Sequence, residues 1–296
     1  MTKELEPFPG QELTPELLGA VDREERFAPG MNGTPEVRVL VYRPKEARAG
    51  QPLVIDMHGG GFALRADNFP AGPARLAGLG ATVVSVDYRP STETPFPGGV
   101  EDCYAALCWA TERLDVDRER VAVTGVSAGG ALAAATTLMA RDWSGPAIAF
   151  QALVIPAIDD RCDTPSIRQY DEGPLFGGRL AKEMWARYLG ADADRTTTSP
   201  YAAPGRAEDL QGLPPAFIQV NGLDPLRDEG IQYAVRLMAA DVPVELYCAP
   251  SQHHGMSEDP RTAATATRLY QDAVRAALRM DKPVSGALQD LPGMQM

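Results

Sequence analysis

A serine between two glycines, in VAVTGVSAGGALAAA (Val121–Ala135), stands where an apolar, strand-like run gives way to a helical one. Ser127 is either a nucleophile on a sharp strand-to-helix turn or a small residue in an ordinary tight turn. A serine hydroxyl is a poor nucleophile at neutral pH. It needs a base to take its proton, an acid to orient that base, and N–H donors for the oxyanion that forms. Each of these partners can be sought separately along the chain.

The base should be one of three histidines, His58, His253 or His254. His253 and His254 lie in APSQHHGM, just after the last expected strand, where a loop can reach back toward a nucleophile at a strand end. Gly255 permits a sharp turn beside His254, which is favoured over His253. The acid should sit at another strand end. AFIQVNGLDPLRDEG offers Asp224, close to its strand and stiffened by Pro225, ahead of Asp228. An aspartate there could also serve as a plain helix N-cap. The order Ser127, Asp224, His254 is that of α/β-hydrolase triads.

Oxyanion donors are suggested by DMHGGGFALR, where Gly59, Gly60 and Gly61 follow a buried strand. Consecutive glycines bring backbone N–H groups to a ligand with no side chains in the way. A flexible glycine loop is the plainer reading, but it leaves the position after a strand and ahead of the nucleophile segment unexplained. His58 reads as structural, holding this loop through side-chain hydrogen bonds.

The elements that must position these residues alternate. Strands are expected in PEVRVLVYRP, PLVIDMH, ATVVSVDY, RVAVTGV, AIAFQALVI, AFIQVNG and VELYCAP. Helices are expected in PAGPARLAGLG, VEDCYAALCWATERL, ALAAATTLMARDW, RLAKEMWARYLG, IQYAVRLMAAD and TAATATRLYQDAVRAALRM. Such alternation predicts a mostly parallel sheet with helices on both faces. Two regions break it: residues 1–33, read as a helical segment starting at Thr14-Pro15, and about 160–200, with aromatics and a helix but no strand. Both are expected to form a small cap over the carboxyl edge of the sheet. The tail 282–296 is expected to be loose.

Composition narrows the function classes. The chain has 296 residues and a net charge of −12, which argues against a nucleic-acid partner. No N-terminal apolar run and no bilayer-length apolar stretch are visible, so a cytoplasmic protein without a membrane span is expected. Cys103, Cys108, Cys162 and Cys248 form neither a C-x-x-C pair nor a zinc-spaced cluster, so reduced thiols are expected.

Together HGGGF, DYRPSTETPFPGGVED, GVSAGG, IPAIDDRCDTPS, DPLRDEG and the His-Gly pair resemble the hormone-sensitive lipase family of α/β-hydrolase esterases, over about Val37 to Met256. The resemblance implies an eight-stranded α/β-hydrolase fold with a helical cap. It implies Ser127 as nucleophile, Asp224 as acid and His254 as base. Backbone N–H groups of Gly60, Gly61 and Ala128 would form the oxyanion hole, with Gly59 shaping its loop. No metal or organic cofactor is implied. The expected activity is a serine carboxylesterase acting on short- to medium-chain esters. A hydrolase of amides, lactones or carbamates, and a non-catalytic small-molecule receptor, stay as alternatives. A homodimer through VELYCAP as an edge strand is expected.

Three positions depart from the family pattern. Val126 stands where Asp or Thr is usual, Met256 where Phe often follows the glycine, and Pro90-Ser91-Thr92 where Leu-Ala-Pro commonly follows Tyr-Arg.

Overall fold

The fold is that of a computed structural model, which describes residues 6–280. Ten strands are present among these residues: β1 (Val21–Ala28), β2 (Val37–Pro44), β3 (Gln51–Met57), β4 (Thr82–Val86), β5 (Val116–Val126), β6 (Phe150–Val154), β7 (Ala216–Asn221), β8 (Val244–Ala249), β9 (Gln252–His253) and β10 (Met256–Ser257). The helices are α1 (Pro15–Ala20), α2 (Ala71–Gly78), α3 (Gly98–Arg113), α4 (Ala128–Asp142), α5 (Pro165–Gln169), α6 (Gly178–Leu189), α7 (Arg227–Ala239) and α8 (Pro260–Ala277).

Eight strands form one sheet in the order β1-β2-β4-β3-β5-β6-β7-β8. β3 to β8 run parallel, while β2 pairs antiparallel with both β1 and β4. Strands β3, β4, β6 and β7 are buried along their whole length and are correspondingly rich in Val, Ile, Leu and Ala, whereas only Ala249 of β8 is buried. Alternate residues feed two cores. Leu53, Ile55, Val121, Val123 and Leu153 meet α3, α4 and α7 on one face. Val54, Val83, Ala122, Ala152 and Phe217 meet α2 and α8 on the other.

The expectation that residues 1–33 stand outside the sheet needs correction. Thr14 does cap α1, its side chain accepting from the Leu17 N–H, and Pro15 occupies the first turn. Val21–Ala28, however, is an edge strand of the main sheet. Its sequence, VDREERFA, shows no apolar alternation because most of its side chains face water. It is held by backbone pairing to β2 and by ion pairs such as Arg38–Glu25 at 2.6 Å. A charged edge of this kind also discourages pairing with foreign strands.

The region 160–200 contains α5 and α6 and no strand, as expected. VELYCAP contains β8, which does lie at a sheet edge. Cys103 and Cys108 share α3, and all four cysteines are free thiols. The tail expected to be loose, 282–296, lies outside the described residues.

Candidate active site

Ser127 occupies a sharp turn between β5 and α4, with φ 57° and ψ −118°. Its left-handed backbone is fixed from several sides. The Ser127 N–H donates to Val154 O at 2.9 Å, and the N–H groups of Gly130 and Ala157 donate to Ser127 O at 2.9 and 3.0 Å. The surrounding glycines are required by space. A Cβ on Gly125 would lie 2.0 Å from Gly129 O, one on Gly129 would lie 2.0 Å from Met57 O, and one on Gly130 would lie 2.7 Å from Pro156 Cβ. The motif therefore encodes a turn in which β5, α4 and β3 approach too closely for side chains, which lifts Ser127 to the end of the sheet.

Asp224 lies in the turn after β7, where the Leu226 N–H donates to Oδ1 at 2.8 Å. His254 lies between β9 and β10, which pair as a short hairpin closed by Gly255 at φ 69°. Asn221 Nδ2 donates to His253 O at 2.8 Å and ties this hairpin to the end of β7. His254 Nδ1 is 2.8 Å from Asp224 Oδ2, and His254 Nε2 is 2.8 Å from Ser127 Oγ. All three side chains are buried. The structure thus joins Ser127, Asp224 and His254 into one hydrogen-bonded chain.

The rival residues lie elsewhere. His253 pairs with Glu258 at 2.9 Å. Asp228 accepts from the Ser166 N–H at 2.8 Å and from Arg227 Nε at 2.8 Å, fastening α7 to α5.

Gly59, Gly60 and Gly61 leave β3 and line the same cavity as Ser127 and His254. Gly60 and Gly61 have φ of 96° and 61°. A Cβ on Gly59 would lie 3.2 Å from Val126 O. Ala128 opens α4, where helix N–H groups have no intrahelical partner. Among the described residues, the N–H groups of Gly60, Gly61 and Ala128 are not engaged by backbone or side-chain acceptors.

His58 is structural in its contacts. Its ring lies 4.2 Å from that of Tyr88 and 5.5 Å from that of Phe69, parallel to both, and its Nδ1 is 2.8 Å from Gly59 O. Burial lowers its pKa to about 4, which keeps the ring neutral. Tyr88 donates its hydroxyl to His58 O at 2.9 Å, bracing the glycine loop from below.

Several supporting residues were given no role by the sequence. Phe62 follows the glycines and stacks on Tyr188 of α6 at 3.8 Å between ring centroids, joining the loop to the cap region. Phe176 lies against the His254 ring at 4.5 Å. Glu229 is buried on α7 and accepts from the N–H groups of Ile158 and Asp159 at 2.7 and 3.1 Å, holding the chain that follows β6. Burial pushes its carboxyl well above the usual range. Phe62 and Glu229 lie within the motifs HGGGF and DPLRDEG, but their roles required the three-dimensional packing.

The cavity beside Ser127 has a volume of about 460 Å³ and is lined mainly by apolar groups, among them Leu64, Phe69, Phe176, Leu180 and Met184. Among the described residues there is no cluster of three or more His, Cys, Asp or Glu side chains that could hold a metal ion. No described helix is long and apolar enough to cross a membrane.

A family model described as alpha/beta hydrolase fold matches residues 54–258. Carboxylesterase NlhH of Mycobacterium tuberculosis is 41% identical over 248 residues, covering 81% of this chain and 77% of that protein. Esterase LipI of the same organism is 39% identical over 258 residues, covering 85% and 78%. Among solved structures, one described as a bacterial heroin esterase aligns with a TM-score of 0.80 at 40% identity, covering 94% of this chain and 86% of that one.

Proposed function

This chain belongs to the α/β-hydrolase family, in its hormone-sensitive-lipase branch, and from that premise we propose that it is a serine carboxylesterase acting on short- to medium-chain esters. The observation that carries the reading is the unbroken chain from Asp224 through His254 to Ser127 Oγ, with both hydrogen bonds at 2.8 Å.

In this mechanism Ser127 Oγ bonds to the ester carbonyl carbon as its proton passes to His254 Nε2. Asp224 holds the imidazole by Nδ1 and stabilises the imidazolium that forms. The carbonyl oxygen becomes an oxyanion, received by the N–H groups of Gly60, Gly61 and Ala128. Collapse breaks the bond to the alcohol oxygen, which leaves with the proton from His254. A water molecule then repeats the sequence on the acyl-serine, giving the acid and free Ser127.

The apolar cavity of about 460 Å³ supports a small organic ester as substrate. Residues 160–200, through Leu175, Phe176, Leu180 and Met184, supply one wall of it and act as the cap. Edge strand β8 is the surface through which two copies pair antiparallel about a two-fold axis. A dimeric mass in light scattering, lost when Leu246→Pro breaks the edge, would support that pairing; a monomeric mass in the intact chain would exclude it.

A serine-directed fluorophosphonate tests the nucleophile. Covalent modification should fall on Ser127 in a peptide map and vanish in His254→Ala. Labelling at another serine would remove Ser127 from its role.

A further inference from the structure

One row of polar side chains interrupts the apolar sheet face beneath α2 and α8. Its neighbours Leu40, Val54, Val83, Ala122 and Ala152 are buried hydrophobics. Ser85 on β4, Asp56 on β3 and Thr124 on β5 are register partners across three adjacent strands. Their side chains therefore emerge side by side on one face. Ser85 Oγ donates to Asp56 Oδ2 at 3.1 Å, and Thr124 Oγ1 is 2.8 Å from the Tyr270 hydroxyl on α8. The other carboxyl oxygen of Asp56 accepts no hydrogen bond from a described residue, and no described cation pairs with it.

Asp56 is 7% exposed, and it lines the same cavity as Ser127 and His254. So does Tyr270. Glu183, the other acidic residue of that lining, is exposed at the rim. Depth follows from strand geometry. Thr124, the register partner of Asp56, precedes Ser127 by three residues, or about 10 Å along the strand. A carboxyl group buried without a full set of partners is unfavourable in a wall that could have been apolar. Its position, inside the cavity and one substrate arm away from the nucleophile, gives it a use.

We propose that the Ser85–Asp56–Thr124 row, with Tyr270, is a specificity subsite that receives a hydroxyl carried by the buried arm of the ester, about 10 Å from the scissile carbonyl. The hydroxyl donates to the open oxygen of Asp56. This inference rests on Ser127 being the nucleophile. Burial holds the Asp56 carboxyl up to about 7, so near neutral pH it retains a proton in part and can accept or donate. A purely apolar pocket would do the opposite, rejecting a substrate hydroxyl by about tenfold or more because its water is stripped without replacement.

The test compares matched esters whose long arm ends in a methyl or a hydroxyl, placed once in the acyl arm and once in the alcohol arm. For one of the two arms, the wild-type kcat/KM ratio of hydroxyl to methyl ester should exceed one, by about tenfold. Asp56→Val should lower that ratio by about tenfold, a readout independent of how much protein folds. Tyr270→Phe, nearly isosteric, should lower it by a smaller factor and serves where Asp56→Val does not fold. A wild-type ratio below one for both arms, or an unchanged ratio in the variants, overturns the subsite and leaves the esterase intact. Absence of turnover of either ester by folded wild type overturns both.

Discussion

His254 Nε2 lies 2.8 Å from Ser127 Oγ, although the two residues are 127 positions apart in the chain. The contact exists because β5 and β7 end at the same edge of the sheet and the β9–β10 hairpin folds back across it. Asp224, fixed by the Leu226 N–H, completes the line at 2.8 Å from His254 Nδ1. Replacing Asp224 by Asn should leave the fold intact and lower kcat by about 10⁴, because the amide holds the wrong imidazole tautomer. Asp228→Asn should change kcat by no more than about threefold, since its carboxylate serves α5 and α7 and not the imidazole. Steady-state kinetics on one ester separates the two aspartates.

Gly129 provides a packing test of the turn. A methyl group there would sit 2.0 Å from Met57 O, a backbone atom that cannot yield cheaply. Gly129→Ala should lower stability by about 3 kcal/mol or more, through overpacking. Gly19 has open space around its Cβ position. Gly19→Ala in α1 should be neutral or stabilise by up to about 1 kcal/mol. Thermal unfolding of both variants reads the contrast.

Asp56 gives stability a distinct pH dependence. Its carboxyl stands near 7 in the folded protein, against about 3.9 in the unfolded chain. The folded state therefore binds the proton more tightly. Stability from this group is fully present below pH about 4 and is lost as pH rises from there through about 7. Asp56→Asn keeps an acceptor for Ser85 but cannot ionise. Its stability relative to wild type should improve by a few kcal/mol between pH 4 and 8, flattening above about 7. A difference that is constant with pH in denaturant titrations would remove Asp56 as the source.

Glu229 tests how the loop after β6 is held. Glu229→Ala deprives the Ile158 and Asp159 N–H groups of their acceptor and opens a cavity. A loss of about 2–5 kcal/mol is expected, with Glu229→Gln losing less because its amide oxygen still accepts. Equal losses in both variants would mean that charge, and not the acceptor, matters.

The residues of the hydrogen-bonded Ser127–His254–Asp224 chain were more legible in the sequence than the frame that holds them. Ser127, Asp224 and His254 stood out because each follows an expected strand, where the proposed nucleophile, acid and base would sit, and the glycines of GVSAGG mark approaches too tight for a Cβ. Buried strands were legible for a similar reason, being continuous apolar runs. β1 was not, since an edge strand with charges on its exposed positions lacks the period-two pattern that betrays a half-buried strand. Phe62, Phe176 and Glu229 went unassigned because their partners lie on distant elements. Asp56 passed as an ordinary residue of PLVIDMH, and its significance depends on register with Ser85 and Thr124, which a single strand does not show.

Hydrolysis of p-nitrophenyl esters across a series of acyl lengths, by wild type and by Ser127→Ala, measures the central claim most directly. Wild type should turn over the series with an optimum at short to medium chains, and Ser127→Ala should lose about 10³-fold or more in kcat at that optimum. Full activity in folded Ser127→Ala, or no turnover of any ester by folded wild type, would contradict it.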